Sequence, residues 1–192
     1  MRYTSFIPQP RFVEIRTRGR LTHWVVDDAV YFITFGLRDA IPERILEELF
    51  REREQLMRGT RNVAERARLD RVFNLRMDRD FDRARGSCIL RQYGELVASA
   101  LRFFDEQRYG LQSWCVMPNH VHVMFHIARG ADVPKVVHSW KSWTAHQIGR
   151  GVIWQREYFD RVIRSPQELS DTRQYIRNNP AKAGLRNWPW MG

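Results

Sequence analysis

Lysine is nearly missing from this 192-residue sequence. Of its 32 cationic side chains only Lys135, Lys141 and Lys182 are lysines, and 29 are arginines. Cysteine is scarce as well. Cys88 and Cys115 cannot build a disulfide framework and no C-x-x-C pair is present, which argues against a disulfide-stapled secreted fold and for a reducing, cytoplasmic setting. No run approaches the ~18 apolar residues that a membrane span needs, so a membrane partner is not expected. The opening Met1-Arg2-Tyr3-Thr4-Ser5-Phe6-Ile7-Pro8 lacks the apolar core of a secretory signal. Low-complexity tracts and internal repeats are lacking too, which excludes solenoids and disordered tails.

Acid is in deficit. Asp and Glu number 22 against 32 Lys and Arg, giving a net charge of +10. Apolar residues at 43% and charged residues at 28% describe an ordinary globular chain, and the length suits a single domain over residues 1–192 with a core of its own. Arginine forks onto phosphate in two-point contacts where lysine offers a point charge. With 7 Trp, 6 Tyr and 11 Phe alongside, the composition favours a nucleic-acid partner. Codon bias in a GC-rich genome would also trade lysine for arginine.

Residues 1–28, with Pro8, Pro10, Arg16, Arg18 and Arg20, read as an irregular basic arm. Val30 to Leu37 is β-branched and aromatic, a central strand. Residues 41–85 change character: Ile45, Leu46, Leu49, Phe50 and Leu56 follow helical spacing behind Pro42, amid 12 arginines and 10 acids. This nearly neutral block reads as a helical insertion broken near Gly59. A helix from Leu90 to Gln107, a strand from Leu111 to Met117, a Pro118-Asn119 turn and a strand from His120 to Ile127 follow. Val133 to Gly149 reads as a helix, Val152 to Ile163 holds a short strand, and Pro166 to Asn178 is a last helix stopped by Asn179-Pro180. The order strand, helix, strand, strand, helix, strand, helix describes an α/β (α+β) domain. It is a ferredoxin-like split βαβ plan with an antiparallel sheet, an inserted helical block and a C-terminal helix.

His120 and His122 are two apart on a strand, so both imidazoles share one sheet face. Two neutral imidazoles side by side begin a divalent-metal site, although H-x-H is also common on half-exposed strands. His126 shares the face but lies about 13 Å further on. Tyr175 and Asn179 are four apart and share a helix face if the helix persists. Asn179 could offer an amide oxygen to a hard cation, and Tyr175 could act as a nucleophile. A core aromatic with its hydroxyl at the surface explains Tyr175 equally well.

Three blocks taken together add to this reading. They are Trp114-Cys115-Val116-Met117-Pro118-Asn119-His120-Val121-His122-Val123-Met124, the run Trp154 to Arg164, and Tyr175-Ile176-Arg177-Asn178-Asn179-Pro180-Ala181-Lys182-Ala183-Gly184-Leu185. In this order and spacing the chain resembles the REP-associated tyrosine transposases of the single-tyrosine HUH superfamily, from about Leu21 to Leu185. The resemblance implies that His120 and His122 hold Mg²⁺ or Mn²⁺ and that Asn179 completes the metal site. It implies that Tyr175 attacks a phosphodiester of single-stranded DNA, giving a 5′-phosphotyrosine and a free 3′-hydroxyl that allow later rejoining. The implied partner is a hairpin-forming REP-type palindrome, and the alternative is a non-catalytic binder of structured single-stranded DNA or RNA. Minimal members lack a block as long as 41–85. If the tyrosine helix docks on its own sheet a monomer suffices; if it reaches a partner's, a homodimer is needed.

Arg156, Arg161 and Arg164 lie next to the presumed site and read as phosphate contacts, with ion pairs to Glu157 and Asp160 the alternative. Arg16, Arg18 and Arg20 read as DNA contacts from the arm. Trp140, Trp143, Trp188 and Trp190 read as packing residues, and Cys88 and Cys115 as buried thiols.

Overall fold

A computed structural model describes residues 11–18, 20–60, 62–83 and 85–192. Its centre is a four-stranded sheet formed by β3 (Ala29–Gly36), β4 (Tyr109–Val116), β5 (His120–Ile127) and β6 (Phe159–Val162). The spatial order is β4-β5-β3-β6, and every neighbouring pair is antiparallel. That is the ferredoxin-like arrangement, in which the middle hairpin β4–β5 lies to one side of β3 and the last strand to the other. Every residue of β3 and β5 is buried, as befits inner strands covered on both faces.

Period-two alternation sorts the side chains. Tyr31, Ile33 and Phe35 of β3, with Val121, Val123, Phe125 and Ile127 of β5, pack against α3 (Leu90–Phe103) and α4 (Val133–Ile148). Trp140 of α4 is buried there and donates its indole N–H to the Tyr109 hydroxyl at 2.9 Å, whereas Trp143 is 46% exposed. Val30, Phe32 and Met124 face the other way, toward Ile176 of α5 (Pro166–Lys182). Helix α4 is capped by Asp132, which accepts from the Lys135 N–H, and α5 by Ser165, which accepts from the Glu168 N–H.

Helices α1 (Glu43–Arg58) and α2 (Val63–Asp82) fill the block read as a helical insertion. They are not an external appendage. Phe73, Met77 and Phe81, one turn apart on α2, are buried and join the main core together with Leu49 and Phe50 of α1. Helix α2 therefore shares with α5 the cover of the second sheet face. The approach is close: a Cβ on Gly36 would lie 2.1 Å from a Phe81 ring carbon. Gly36→Ala is expected to destabilise the fold by about 1–3 kcal/mol through overpacking. A lowered urea midpoint in the variant would bear this out, and an unchanged midpoint would contradict it.

Three expectations are corrected. The basic arm is not irregular over its described part: β1 (Arg11–Arg18) and β2 (Leu21–Asp27) form an antiparallel hairpin. Residues 1–10 lie outside the described residues. The hairpin is pinned to the sheet by the Tyr31 hydroxyl, which accepts from the Val26 N–H and donates to the Trp24 carbonyl, both at 2.8 Å. His23 adds a buried pairing with Asp160 at 2.7 Å. Helix α5 does not stop at Asn178; it runs through Pro180 to Lys182. Proline forfeits only the bond its own nitrogen would donate, and the carbonyls of Asn179 and Pro180 still accept from Ala183 and Leu185. Finally, Cys88 is only half-buried, while Cys115 is fully buried and its thiol is pushed up to about 12 by burial.

The segment after α5 runs along the outer edge of β4. Trp114 and Gly192 exchange backbone hydrogen bonds at 2.8 and 3.0 Å, and the Trp188 indole donates to the Val116 carbonyl at 2.8 Å. An edge with open amides is thereby occupied. Among the described residues no helix is long and apolar enough to cross a membrane.

Candidate metal and tyrosine site

The second sheet face carries His120 and His122, which are essentially inaccessible to solvent. Their ring nitrogens are 2.9 Å apart, Nε2 to Nε2. The surrounding network sets both tautomers. The Asn119 amide nitrogen donates to the carbonyls of Phe81 and Arg85, so its Oδ1 accepts from His120 Nδ1–H at 2.7 Å. The Thr34 hydroxyl donates to Asp78 at 2.9 Å and accepts from His122 Nδ1–H at 2.9 Å. Each imidazole therefore carries a proton on Nδ1 and turns its Nε2 toward the other ring. Two Nε2 atoms at that separation share a proton or ligate one cation set beside them, and oriented imidazoles of this kind are what a metal site needs. Burial and the neighbouring His122 hold the His120 imidazole well below its ordinary range, so it is neutral.

The third member of the cluster, and its one carboxylate, comes from α2. Asp82 Oδ1 lies 3.6 Å from His120 Nε2 and 3.9 Å from His122 Nε2. The ligand atoms of the three residues all fall within 4.8 Å of one another, a group that could hold a metal ion. Sequence reasoning misses Asp82, and with it Asp78 behind it. The available signal is that each follows a residue of the buried Phe73-Met77-Phe81 stripe, which sets both acids on the covered edge of the helix.

Helix α5 brings Tyr175 and Asn179 to the same place. The Tyr175 hydroxyl is 3.4 Å from His122 Nε2. Its ring meets Phe32 edge-on at 6.0 Å, and Lys182 Nζ lies 5.5 Å from the ring centre. Asn179 is buried and its amide nitrogen donates to Asp82 Oδ1 at 3.3 Å. Burial first, and then the carboxylates of Asp78 and Asp82, push the phenol far above its ordinary value, so it is protonated at neutral pH. Helix α5 packs on the sheet of its own chain, with Ile176 beside Met124 and Phe32.

The arginines divide. Arg161 packs its guanidinium over Phe32 at 5.3 Å, donates to Thr172 at 3.0 Å and pairs with Glu168 at 3.6 Å. It lines a cavity of about 530 Å³ with Tyr175 and Arg164. Arg156 is not there; it borders a separate hollow with His23 and His138. Arg16 bonds Glu14 and borders another hollow beside His23. Arg20 stacks on Phe50 at 4.8 Å, and Arg18 ends β1 opposite Leu21, with its side chain outside the described set. His126 pairs with Asp28 at 2.8 Å and takes no part in the site.

The chain is similar to several known proteins. The family "Transposase IS200 like" matches residues 92–179, a stretch that contains both histidines, Tyr175 and Asn179 but begins after Asp82. A REP-associated tyrosine transposase of Escherichia coli (strain K12) is 25% identical over 113 residues, 55% of this chain and 67% of that protein. A putative REP-associated tyrosine transposase of Haemophilus influenzae is 23% identical over 96 residues, 40% of this chain and 54% of that protein. In fold, the chain resembles a solved REP-associated tyrosine transposase bound to a REP hairpin. The TM-score is 0.57 at 18% identity, covering 88% of this chain and 79% of the other. Residues 92–179 thus match the transposase IS200-like family, within a chain similar to REP-associated tyrosine transposases.

Proposed function

We propose that this protein cleaves and rejoins single-stranded DNA through Tyr175, acting on hairpin-forming REP-type palindromes. One observation carries the reading: the Tyr175 hydroxyl reaches the point on which the Nε2 atoms of His120 and His122 and the carboxylate of Asp82 converge. In the reaction the Tyr175 Oη attacks phosphorus and loses its proton. The bond from phosphorus to the 3′ oxygen breaks, and that oxygen leaves as a 3′-hydroxyl after gaining a proton. The 5′-phosphate stays on the tyrosine, and attack by another 3′-hydroxyl reverses the step and joins strands without a nucleotide cofactor.

His120, His122 and Asp82 would hold a divalent cation, Mg²⁺ or Mn²⁺, with Asn179 beside them. Such an ion polarises a phosphoryl oxygen and steadies the charge that develops on it. Asn119 and Thr34 keep the imidazoles in the right tautomers, and Asp78 holds Thr34. Phe32 and Phe81, stacked on His122 and His120 at 5.5 and 5.3 Å, keep the rings in place and dry. Asn179 steadies Asp82 and lies one turn from the nucleophile.

The test is incubation with end-labelled single-stranded REP-type hairpins in Mg²⁺, in Mn²⁺ and in EDTA, resolved on a denaturing protein gel. A metal-dependent covalent adduct is expected. Tight binding without adduct or cleavage in either metal would instead establish a non-catalytic hairpin binder.

A further inference from the structure

The cavity beside Tyr175 continues outward between α2 and the junction of β6 with α5. Its floor is Phe32, and its walls carry Arg71 and Leu75 of α2 facing Arg161 and Arg164. A smaller hollow extends it past Arg71 and Arg164 to Trp24 on β2. We propose that this groove is the path of the unpaired DNA strand next to the bond that is cut, with the inserted helix α2 as one of its two walls. The inference rests on the reading of Tyr175 as a strand-cleaving nucleophile.

Charge is the first argument. Arg71 and Arg164 are exposed and make no ion pair among the described residues, and the Arg161 Nε is buried without an acceptor. The carboxylates in the same walls are already engaged. Glu168 pairs with Arg161 at 3.6 Å and accepts from the Arg164 backbone N–H at 2.9 Å, Asp171 accepts from Gln167 at 2.7 Å, and Asp78 accepts from Thr34 at 2.9 Å. Arg71 and Arg164, exposed and without an ion pair, suit successive phosphates on either side of Arg161, whose Nε keeps one unmet donor. The N-terminal end of α5 opens into the groove and adds the positive pole of its dipole.

Apolar surface is the second argument. Leu75 is 47% exposed beside Phe32, and the Arg164 guanidinium stacks on Trp24 at 5.4 Å. A splayed-out base can lie on such surfaces, whereas a duplex presents its bases only edge-on. The groove leads to Tyr175, so a strand held there brings a phosphate to the hydroxyl.

Arg71→Glu and Arg164→Glu test this by fluorescence anisotropy with a labelled single-stranded oligonucleotide in EDTA, where no bond is cut. Each variant is expected to bind at least about tenfold more weakly. The slope of log affinity against log salt should fall by about 0.7 for each phosphate that is no longer neutralised. Arg44→Glu, exposed at the start of α1 and outside the lining of the groove, serves as the control and should leave both values unchanged. Wild-type affinity and slope in Arg71→Glu and Arg164→Glu, with the Tyr175 adduct still formed by the unaltered chain, would overturn the groove and leave the proposed function standing. Weakened binding by both variants in a chain that never forms an adduct would support the groove as a binding path and defeat the cleavage reading. Equal weakening for a blunt duplex and for the single strand would overturn the assignment to unpaired DNA.

Discussion

Tyr175→Phe is expected to form no covalent adduct with a single-stranded hairpin and to cut it roughly 10⁴-fold more slowly or worse, the scale on which loss of a nucleophile is felt. The substitution removes one oxygen. That oxygen's contacts in the fold are the 3.4 Å approach to His122 Nε2 and a hydrogen bond with the Asn179 side chain, worth about 0.5 kcal/mol to stability. The ring keeps its edge contact with Phe32 and its place beneath Lys182. The variant should therefore melt within a degree or two of the wild-type chain and still bind the strand, so that absent cleavage reports chemistry and not unfolding. Cleavage retained by Tyr175→Phe would mean that water attacks, making the protein a metal-dependent nuclease that forms no adduct. Strand joining separates these cases as well, because only a covalent intermediate conserves the energy of the broken bond.

The inner sheet is legible in the sequence because its constraints are local. The His120–Ile127 strand emerges with the expected bounds, since a Pro-Asn turn precedes it and its apolar positions alternate without a break. Tyr175 and Asn179 are legible as a pair because four residues make one helical turn, and α5 stays helical across both. The hairpin in the arm is hidden for a compositional reason: arginines and prolines mask an alternation in Arg11–Arg18 that forms a strand once Leu21–Asp27 pairs with it. Asp82 is hidden for a different reason. In a block of 12 arginines and 10 acids, one carboxylate looks like any solvated charge. Its meaning depends on how α2 crosses the sheet, a tertiary fact that local periodicity does not carry. Burial of the histidines is hidden likewise, since an exposed strand also carries H-x-H, and only the helices on both sides of the pair cover it.

Asp82→Asn is expected to weaken Mn²⁺ binding by about 10–100-fold, read by titration calorimetry or by the loss of free-ion Mn²⁺ resonance signal. The argument is one of charge. Two neutral imidazoles bring no negative charge to the site, and Asn179 is an amide. Asp82 is the one anionic member of the cluster formed with the two histidines. Asparagine has nearly the same shape and keeps an oxygen for the bond that Asn179 donates at 3.3 Å. The Asp82 side chain is 35% exposed, so exchanging it should cost little stability and the fold remains a fair control. Asn179→Ala sharpens the comparison. If Asp82 supplies the charge and Asn179 steadies it, Asn179→Ala should weaken Mn²⁺ binding less than Asp82→Asn does. The opposite ranking would transfer the third ligand to Asn179 and reduce Asp82 to a neighbour. In the first case this chain draws part of its metal site from α2, outside the segment that matches the transposase family. A chain without that carboxylate would then bind Mn²⁺ no better than Asp82→Asn does.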